Sequence, residues 1–456
     1  MTHAELIEKY PRFIYHSYEI IEDEDSLNFH FEFEIENLAF FRPKSKIAKK
    51  DILNKEYDKK FLEYLVFHLG LVEMLSYYKL TASKKIVIKA GYLSVKQVKF
   101  FQKLLYHGLG EFFYTNNIET NIDDVKFLID AKEEELRLSD AKTSGNLILV
   151  GGGKDSCVSL ELLKGQENAV FLHNPKEEMR KIANIAEIAD EKIIVFERTL
   201  DQELLNLNQK SFLNGHTPLS ALLAFESYII AYLRNIKYIV LSNESSANEA
   251  TVLGTDINHQ YSKSFDFELD FALYTKEYFS KEIHYFSLLR SLNEYQITLL
   301  FSKYPKYHSI FKSCNLGSKK TPWIWCCKCS KCLFVYILLY SLLNPKELRD
   351  IFGEDLLDNP ENLSTFKEII GETGVKPFDC VGTIEDAKYA LSKSIKNSSE
   401  ELPYLLKYYK EHHELLELED YEHYLNKEHL IPEDFEELVS KELAKYVWED
   451  SFRIGE

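Results

Sequence analysis

Three consecutive glycines lie between an apolar run and a segment of helical spacing, and this junction restricts the fold more than any other part of the sequence. Residues 146–150 have the pattern of a short buried strand, and residues 155–164 that of a helix. The string that joins them is Gly151, Gly152, Gly153, Lys154, Asp155 and Ser156. Glycines allow positive φ and close approach of a ligand, while amides at a helix start face an anion. The junction therefore predicts an anion-binding turn.

The region around this junction, residues 141–345, alternates short apolar runs with segments of helix length. The strand candidates are residues 146–150, 169–173, 192–197 and 237–241, and the helix candidates are residues 155–164, 176–189 and 218–235. Such alternation predicts an α/β domain, a parallel sheet with helices on both faces. Ligands bind sheets of this kind at the carboxyl ends of the strands, where the glycines lie.

The flanking regions have different patterns. Residues 1–140 combine an alternating strand pattern at 27–35 with helix candidates at 59–80 and 94–109, which predicts an α+β N-terminal domain. Residues 346–456 form a mainly helical, acidic C-terminal region, in which 400–428 has the spacing of a solvated amphipathic helix. A chain of 456 residues has room for these three domains.

Charge and hydropathy exclude several classes of protein. The chain has 55 Lys and Arg against 73 Asp and Glu, a net charge of −18, so phosphate backbones are repelled and no nucleic-acid partner is expected. Its longest apolar run, residues 333–343, is too short to span a bilayer, and the N-terminus has no secretory pattern. We therefore expect a soluble, cytoplasmic protein without a membrane partner.

Cysteines are crowded near residue 330. Cys326, Cys329 and Cys332 form two successive C-x-x-C steps, and Cys314 completes a set of four thiolates for a structural Zn²⁺. Cys327 is then the spare thiol, expected to point away. Free thiols beside a buried helix are the alternative interpretation, but the spacing favours zinc.

Polar strings follow the strand candidate at 237–241. Residues 242–249 come directly after it, and residues 258–268 come soon afterwards. Either string alone is equally compatible with a polar surface loop. The candidate substrate-binding residues are His216, Asn243, Glu244, Asn258, Lys263 and Arg290. Together with Lys154 and His259, the basic members of this set would form the cationic pocket that an anionic substrate needs.

The glycine string resembles the PP-loop of ATP pyrophosphatases, whose pattern is Ser-Gly-Gly-x-Asp-Ser, with Gly151 in the first serine position. The spacings of the Walker P-loop and of the dinucleotide fingerprint are both missing. The resemblance implies the PP-loop, adenine nucleotide alpha hydrolase-like fold and an enzyme that cleaves ATP to AMP and pyrophosphate, often adenylating a substrate oxygen. The cysteine string is similar to that of the PP-loop enzymes that make 7-cyano-7-deazaguanine.

Several strings in order resemble the ATP-dependent UDP-N-acetylmuramoyl-L-alanyl-L-glutamate epimerases of bacterial peptidoglycan synthesis. The matching strings are residues 76–79, 107–112, 151–156, 213–216, 242–244, 258–264, 287–290, 313–315, 325–335 and 376–382. The resemblance implies that the terminal L-Glu of UDP-MurNAc-L-Ala-L-Glu becomes D-Glu, with ATP and Mg²⁺ consumed. The small-molecule partner would then be the UDP-muramoyl dipeptide.

That reaction requires an activated acid and proton transfer at the α-carbon. A carboxylate resists loss of its α-proton, whereas an acyl-adenylate leaves a carbonyl that delocalises the charge. The candidates for base and acid are His259 and Cys380, although each is equally compatible with a structural role.

Two other functions fit the same residues. One is another PP-loop adenylating synthase, which would form an amide or nitrile on a nucleobase carboxylate. The other is a degenerate nucleotide-binding module, against which the presence of Lys154, Asp155 and Ser156 argues.

Overall fold

The computed structural model describes residues 1–133, 138–140, 142–399, 401–416 and 421–453 of the chain, with side chains described as far as residue 447. The strands are β1 Arg12–Glu22, β2 Ser26–Ile35, β3 Ala39–Phe41, β4 Lys44–Ala48, β5 Lys85–Ile88, β6 Lys126–Ile129, β7 Ser144–Leu149, β8 Asn168–His173, β9 Ile193–Thr199, β10 Ile236–Leu241 and β11 His284–Ser287. The α-helices are α1 His3–Lys9, α2 Lys59–Glu73, α3 Leu75–Tyr78, α4 Val95–Gly108, α5 Gly110–Thr115, α6 Lys154–Leu162, α7 Glu177–Ile185, α8 Gln202–Gln209, α9 Leu219–Arg234, α10 Phe265–Tyr278, α11 Glu294–Ser302, α12 Ser330–Tyr340, α13 Pro345–Phe352, α14 Leu363–Ile369, α15 Ile384–Asn397, α16 Tyr404–His412 and α17 Glu433–Arg453.

The strands form one large mixed sheet in the order β11-β10-β7-β8-β9-β4-β2-β1-β5-β6, with β3 paired to β2. The five strands from β11 to β9 are parallel, as the βα alternation predicts. Strands β8 and β9, which follow β7 in the sequence, lie on one side of it in the sheet, and β10 lies on the other side. The strand order therefore reverses at β7, the point of an open α/β sheet where ligands bind.

The sheet does not stop at the edge of the predicted parallel domain. Strand β9 pairs antiparallel with β4, and so joins the N-terminal strands to the central ones in one continuous sheet. The expectation of a parallel sheet was correct for β7–β11 but too narrow for the molecule. An edge strand leaves a row of backbone donors and acceptors open, and β4 satisfies those of β9.

Alternation along the central strands divides their side chains between two apolar cores. Leu147 faces a core that contains α2, α4, α9 and α10, while the adjacent Ile148 faces a second core that contains α6, α7, α11 and α12. Because the central strands are covered on both faces, they contain continuous apolar runs, such as residues 147–149 and 169–172.

The C-terminal region is mainly helical, as predicted, but the helix expected at 400–428 is shorter. Among the described residues of that stretch, helix α16 ends at His412, and residues 400 and 417–420 lie outside the described part. Carbonyls of Glu422 and Tyr424 instead accept hydrogen bonds of 2.9 Å from the side chain of Gln296. None of the helices in the described part combines the length and apolar character needed to cross a membrane.

Candidate active site

The turn between β7 and α6 contains the three glycines, and we call residues 151–153 the glycine loop. Gly152 has a φ of +91°, and a Cβ there would lie 2.8 Å from the ring of Trp323. At Gly151 a Cβ would meet nothing within 4 Å. Gly153 is the N-cap residue that precedes α6, and no side chain in the described part of the chain caps this helix start. The loop thus leaves the first amides of the helix open to a ligand.

The lysine that follows the loop is directed inward. Lys154 is 1% exposed, and its ammonium group is paired with the carboxylates of Asp155 and Glu294. Burial alone lowers the pKa of Lys154, but the two carboxylates outweigh it and raise the pKa above its ordinary value. Lys331 lies on the other side of Glu294, with Nζ 3.9 Å from Oε1. Opposite charges thus alternate beside the loop.

Asp155 and Ser156 have different surroundings. The side chain of Asp155 is 26% exposed and remains at the mouth of the loop. Burial raises the pKa of Asp155, but the charges of Lys154 and Lys331 outweigh this effect and lower the pKa below its ordinary value, so the carboxylate is ionised. The Ser156 hydroxyl donates to the carbonyl of Gly153 at 3.0 Å.

The polar strings meet the glycine loop at the same edge of the sheet. Ser242, at the end of β10, hydrogen-bonds to Ser159 of α6 at 2.8 Å. Asn243 donates to the hydroxyl of Ser287, at the end of β11, at 3.2 Å. The predicted residue Glu244 follows in the same loop and is 5% exposed. Adjacent parallel strands therefore bring these loops together.

Two predicted substrate-binding residues make contacts within the fold. Arg290 is fully buried, and its guanidinium group donates to Glu268 at 2.8 Å and to the carbonyls of Glu244 and Lys263. Asn258 donates to the carbonyl of Ala247 at 2.8 Å. Arg290 thereby joins the loops around the site, and its substrate-binding role stays a prediction.

His259 and Cys380 lie together, in what we call the thiol cluster: Glu111, His259, Lys263 and Cys380. His259 donates through Nδ1 to the carboxylate of Glu111 and hydrogen-bonds to Cys380. The ammonium group of Lys263 lies 3.2 Å from Cys380 Sγ. Residues more than 250 positions apart in the sequence thus form one chain of polar contacts.

Electrostatics within the thiol cluster favour an ion pair. Burial lowers the pKa of His259, but its hydrogen bonds to Cys380 and Glu111 outweigh this and raise it to about 9. Burial raises the pKa of Cys380, but the charge of Lys263 and the hydrogen bond from His259 lower it to about 6. At a pH between these two pKa values, the sulfur is a thiolate and the imidazole is charged.

His216 adjoins the thiol cluster. Its ring centroid is 4.4 Å from that of His259, and its Nδ1 is 3.6 Å from the Glu111 carboxylate. Burial and the nearby charge of His259 lower the pKa of His216 to about 3, so this ring is neutral. The ligand atoms of Glu111, His216 and His259 lie within 4.8 Å of one another, a spacing that would also suit a cation.

The thiol cluster and the glycine loop lie close together. Gly382 packs so closely on the side chain of Glu294 that a Cβ would lie 2.8 Å from its Cγ. Glu294 is the partner of Lys154, and Gly382 is two residues beyond Cys380. Lys263 also influences the pKa of Asp155. The thiol cluster is therefore near the residues of the glycine loop.

The four predicted cysteines converge in a second group of thiols. Sγ of Cys314 is 3.8 Å from that of Cys329, and Sγ of Cys332 is 3.8 Å from Cys326 and 3.5 Å from Cys329. A tetrahedron with Zn–S bonds of about 2.3 Å has edges of about 3.8 Å, so the four sulfurs fit a metal ion. Cys327 points away, with its sulfur 3.3 Å from the carbonyl of Phe352. We call the four residues the cysteine centre.

The cysteine centre is connected both to the thiol cluster and to the glycine loop. Asn315, next to Cys314, and Ser330, next to Cys329, both donate to the carboxylate of Asp379, the latter at 2.6 Å. Asp379 immediately precedes Cys380. On the other side, Trp323 covers Gly152 and donates to the carbonyl of Cys314 at 3.0 Å.

A cavity of about 980 Å³ opens beside the thiol cluster. Gly110 and Ile257 line this cavity and are close in sequence to Glu111 and His259. Tyr114 also lines it, and its ring centroid is 5.7 Å from that of Phe378. Cavities of this size accommodate large ligands.

Sequence reasoning missed three carboxylates of the site. Glu111, Glu294 and Asp379 were assigned no role, although Glu111 and Asp379 lie in the strings 107–112 and 376–382 that carry the family resemblance. The pairing of each carboxylate with a distant residue gives no periodic signal. For Glu111 and Asp379, presence in the matched strings was the one available indication, and Glu294 had none.

Comparison with known proteins identifies the family. A family model described as the MurL N-terminal domain matches residues 4–288, and one described as the MurL C-terminal domain matches residues 310–421. No solved structure matches the chain.

Three curated relatives bear the name UDP-N-acetyl-alpha-D-muramoyl-L-alanyl-L-glutamate epimerase. The one from Xanthomonas oryzae pv. oryzae is 30% identical over 71% of this chain and 73% of its own length. Those from Micromonospora sp. and Salinispora tropica are each 32% identical over 71% of this chain, and over 73% and 71% of their own lengths. The chain therefore belongs to the MurL family of epimerases and is an isomerase.

Proposed function

We propose that this enzyme inverts the terminal L-glutamate of UDP-MurNAc-L-Ala-L-Glu during peptidoglycan precursor synthesis, with ATP converted to AMP and pyrophosphate. The names of the relatives supply the substrate. The contact between Gly382 and Glu294 carries the proposal, because it brings the segment of Cys380 close to the partner of Lys154 beside the glycine loop. Activation of a carboxylate and chemistry at its α-carbon require this proximity.

ATP binding is proposed for the glycine loop in a PP-loop fold. In favour are the position of the loop at the strand-order reversal, the uncapped start of α6 and the open space beside Gly151. A phosphate bound there would compete with Glu294 for the ammonium group of Lys154. Asp155 and Glu294 offer the oxygen ligands that Mg²⁺ prefers, and Mg²⁺ would neutralise charge on the departing pyrophosphate.

We assign a structural Zn²⁺ to the cysteine centre. Four thiolates leave no open coordination position, and backbone amides of Gly317 and Cys326 donate to Cys314 Sγ at 3.0 and 3.4 Å. Such reduced thiols suit a cytoplasmic enzyme.

His259 and Cys380 are proposed to act on the activated glutamate. Lys263 stabilises the thiolate, and Glu111 orients the imidazole through Nδ1. His216, Asn243, Glu244, Asn258 and Arg290 are proposed to bind or frame the substrate. The cavity lined by Tyr106 and Tyr114 is large enough for the nucleotide-sugar portion.

The test is incubation of the purified chain with ATP, Mg²⁺ and UDP-MurNAc-L-Ala-L-Glu, followed by hydrolysis and chiral analysis of glutamate. We expect D-Glu to form and, early in the reaction, one AMP to be released per inversion. Ammonia should not be needed, which separates this activity from that of an amide-forming synthase. Inversion without nucleotide, or ADP in place of AMP, contradicts the proposal. Asp155→Ala, which removes the carboxylate at the loop mouth, should abolish AMP formation.

A further inference from the structure

Glu111, His259 and Cys380 form a linear arrangement of carboxylate, imidazole and thiol. His259 uses Nδ1 for the carboxylate, so its other ring nitrogen serves the hydrogen bond to the sulfur. A nucleophile in contact with a base that a third group orients is the general signature of covalent catalysis. The three residues come from α5, from the loop before α10 and from the loop before α15.

Direct contact between imidazole and thiol distinguishes this arrangement from a pair of opposed bases. Two groups that reach opposite faces of one carbon must have that carbon between them. Here His259 and Cys380 touch each other, and Lys263 lies 3.2 Å from the same sulfur. The contacts therefore favour a sulfur that attacks over a sulfur that only exchanges a proton.

We propose that Cys380 accepts the activated glutamyl group as a thioester, and that inversion takes place on this covalent intermediate. The inference rests on the proposed function, because the glutamyl adenylate is the acyl donor. Cys380 is partly exposed, so the carbonyl carbon has access to the sulfur. The packing of Gly382 on Glu294 places this sulfur near the loop where the adenylate would form.

The steps balance without any further reactant. The sulfur attacks the carbonyl carbon of the adenylate, a C–S bond forms, the C–O bond to phosphate breaks, and AMP leaves with the bonding electrons. Acylation removes the thiolate that held the second N–H of the charged His259, and this proton passes to solvent. The neutral ring then takes the α-proton, which restores the charged imidazole, and a proton from solvent returns to the opposite face of the α-carbon. Water then attacks the carbonyl, the C–S bond breaks, sulfur leaves as the thiolate, and the protons of water pass to solvent.

A thioester suits this chemistry for two reasons. Sulfur donates little electron density to the carbonyl, so the neighbouring C–H is more acidic than in a carboxylate. Release of AMP before inversion also leaves the glutamyl group tethered while its proton is exchanged. Glu111 would keep His259 oriented throughout, as a positioning residue.

The experiment is a single turnover with enzyme in excess over UDP-MurNAc-L-Ala-L-Glu, quenched in acid and analysed by intact mass and peptide mapping. We expect the mass of the substrate acyl group on the peptide with Cys380, and not on the peptide with Cys157. His259→Asn, which cannot carry the proton, should accumulate the adduct with one AMP released per substrate molecule. Cys380→Ala should release pyrophosphate but retain AMP in the adenylate.

The outcomes separate the two proposals. Pyrophosphate release without an adduct, in both the unmodified enzyme and His259→Asn, overturns the thioester and leaves the adenylation intact. Adduct on another residue, or full AMP release by Cys380→Ala, overturns it as well. Failure of the unmodified enzyme to release pyrophosphate overturns the adenylation, and the thioester with it.

Discussion

The cysteine centre and Cys380 present the same functional group in opposite surroundings. In the centre, each sulfur lies near other sulfurs, and backbone amides donate to Cys314 and Cys326. Cys380 instead adjoins the ammonium group of Lys263 and the ring of His259. Four clustered thiols need a metal ion to share their charge, whereas a thiolate with two cationic neighbours is stabilised without one.

The residues around a cysteine, and not the residue type itself, thus decide whether its thiolate binds a metal ion or is available for reaction. The two groups are connected, because Asp379 links the loop of Cys380 to Asn315 and Ser330 beside the cysteine centre. Variants that alter one group and spare the other can separate their roles.

Removing the thiol of Cys380 should have the largest effect. We expect Cys380→Ala to lower the inversion rate by about 10²–10⁴-fold, the contribution typical of a group that acts at the reacting atoms. Deuterium from solvent should no longer enter the α-carbon of glutamate, as followed by mass spectrometry, while pyrophosphate release continues. Unchanged exchange would exclude Cys380 from the mechanism. Bound metal should be retained, which provides the control.

Breaking the cysteine centre should affect folding before chemistry. Cys329→Ser removes one of four ligands, and we expect loss of bound zinc and a large drop in melting temperature, because structural zinc sites contribute folding energy directly. Elemental analysis and thermal unfolding measure both. The matched control is Cys327→Ala in the same string, whose sulfur faces the carbonyl of Phe352. Equal zinc loss in both variants would contradict the assignment of ligands.

The pH dependence of alkylation should distinguish Cys380 from an ordinary thiol. Its pKa of about 6 lies below the usual value, so the thiolate fraction grows as pH rises through 6. The iodoacetamide rate at the Cys380 peptide should therefore level off above about pH 7. Lys263→Met removes the nearest positive charge and should move the midpoint upward. A midpoint near 8.5 in the unmodified enzyme would disprove the thiolate.

The weakest expected effect tests the link between the two groups. Ser330→Ala removes one hydrogen bond to Asp379, worth about 1 kcal/mol. We expect zinc to remain, AMP formation to be nearly unchanged and inversion to fall a few-fold, measured as D-Glu per AMP. An unchanged ratio would indicate that Ser330 does not help to position the loop of Cys380.

The thiol cluster shows how far sequence reasoning reaches. His259 and Cys380 were chosen as isolated candidates, and the structure places them in contact. Glu111 was not chosen, because a single glutamate in a short helix gives no signal until a distant partner is known. Arg290 was chosen as a cation for substrate, yet it is fully buried against Glu268.

Local features of this protein can be predicted from its amino-acid order. The βα alternation, the glycine loop and the C-x-x-C steps each act over a few residues, so spacing alone predicts them. Long-range packing is what pairs β4 with β9 in one continuous sheet, buries Lys154 against Glu294 and brings Glu111 to His259. These contacts join residues up to 155 positions apart, as Lys44 is from Thr199, and packing, rather than local pattern, brings them together.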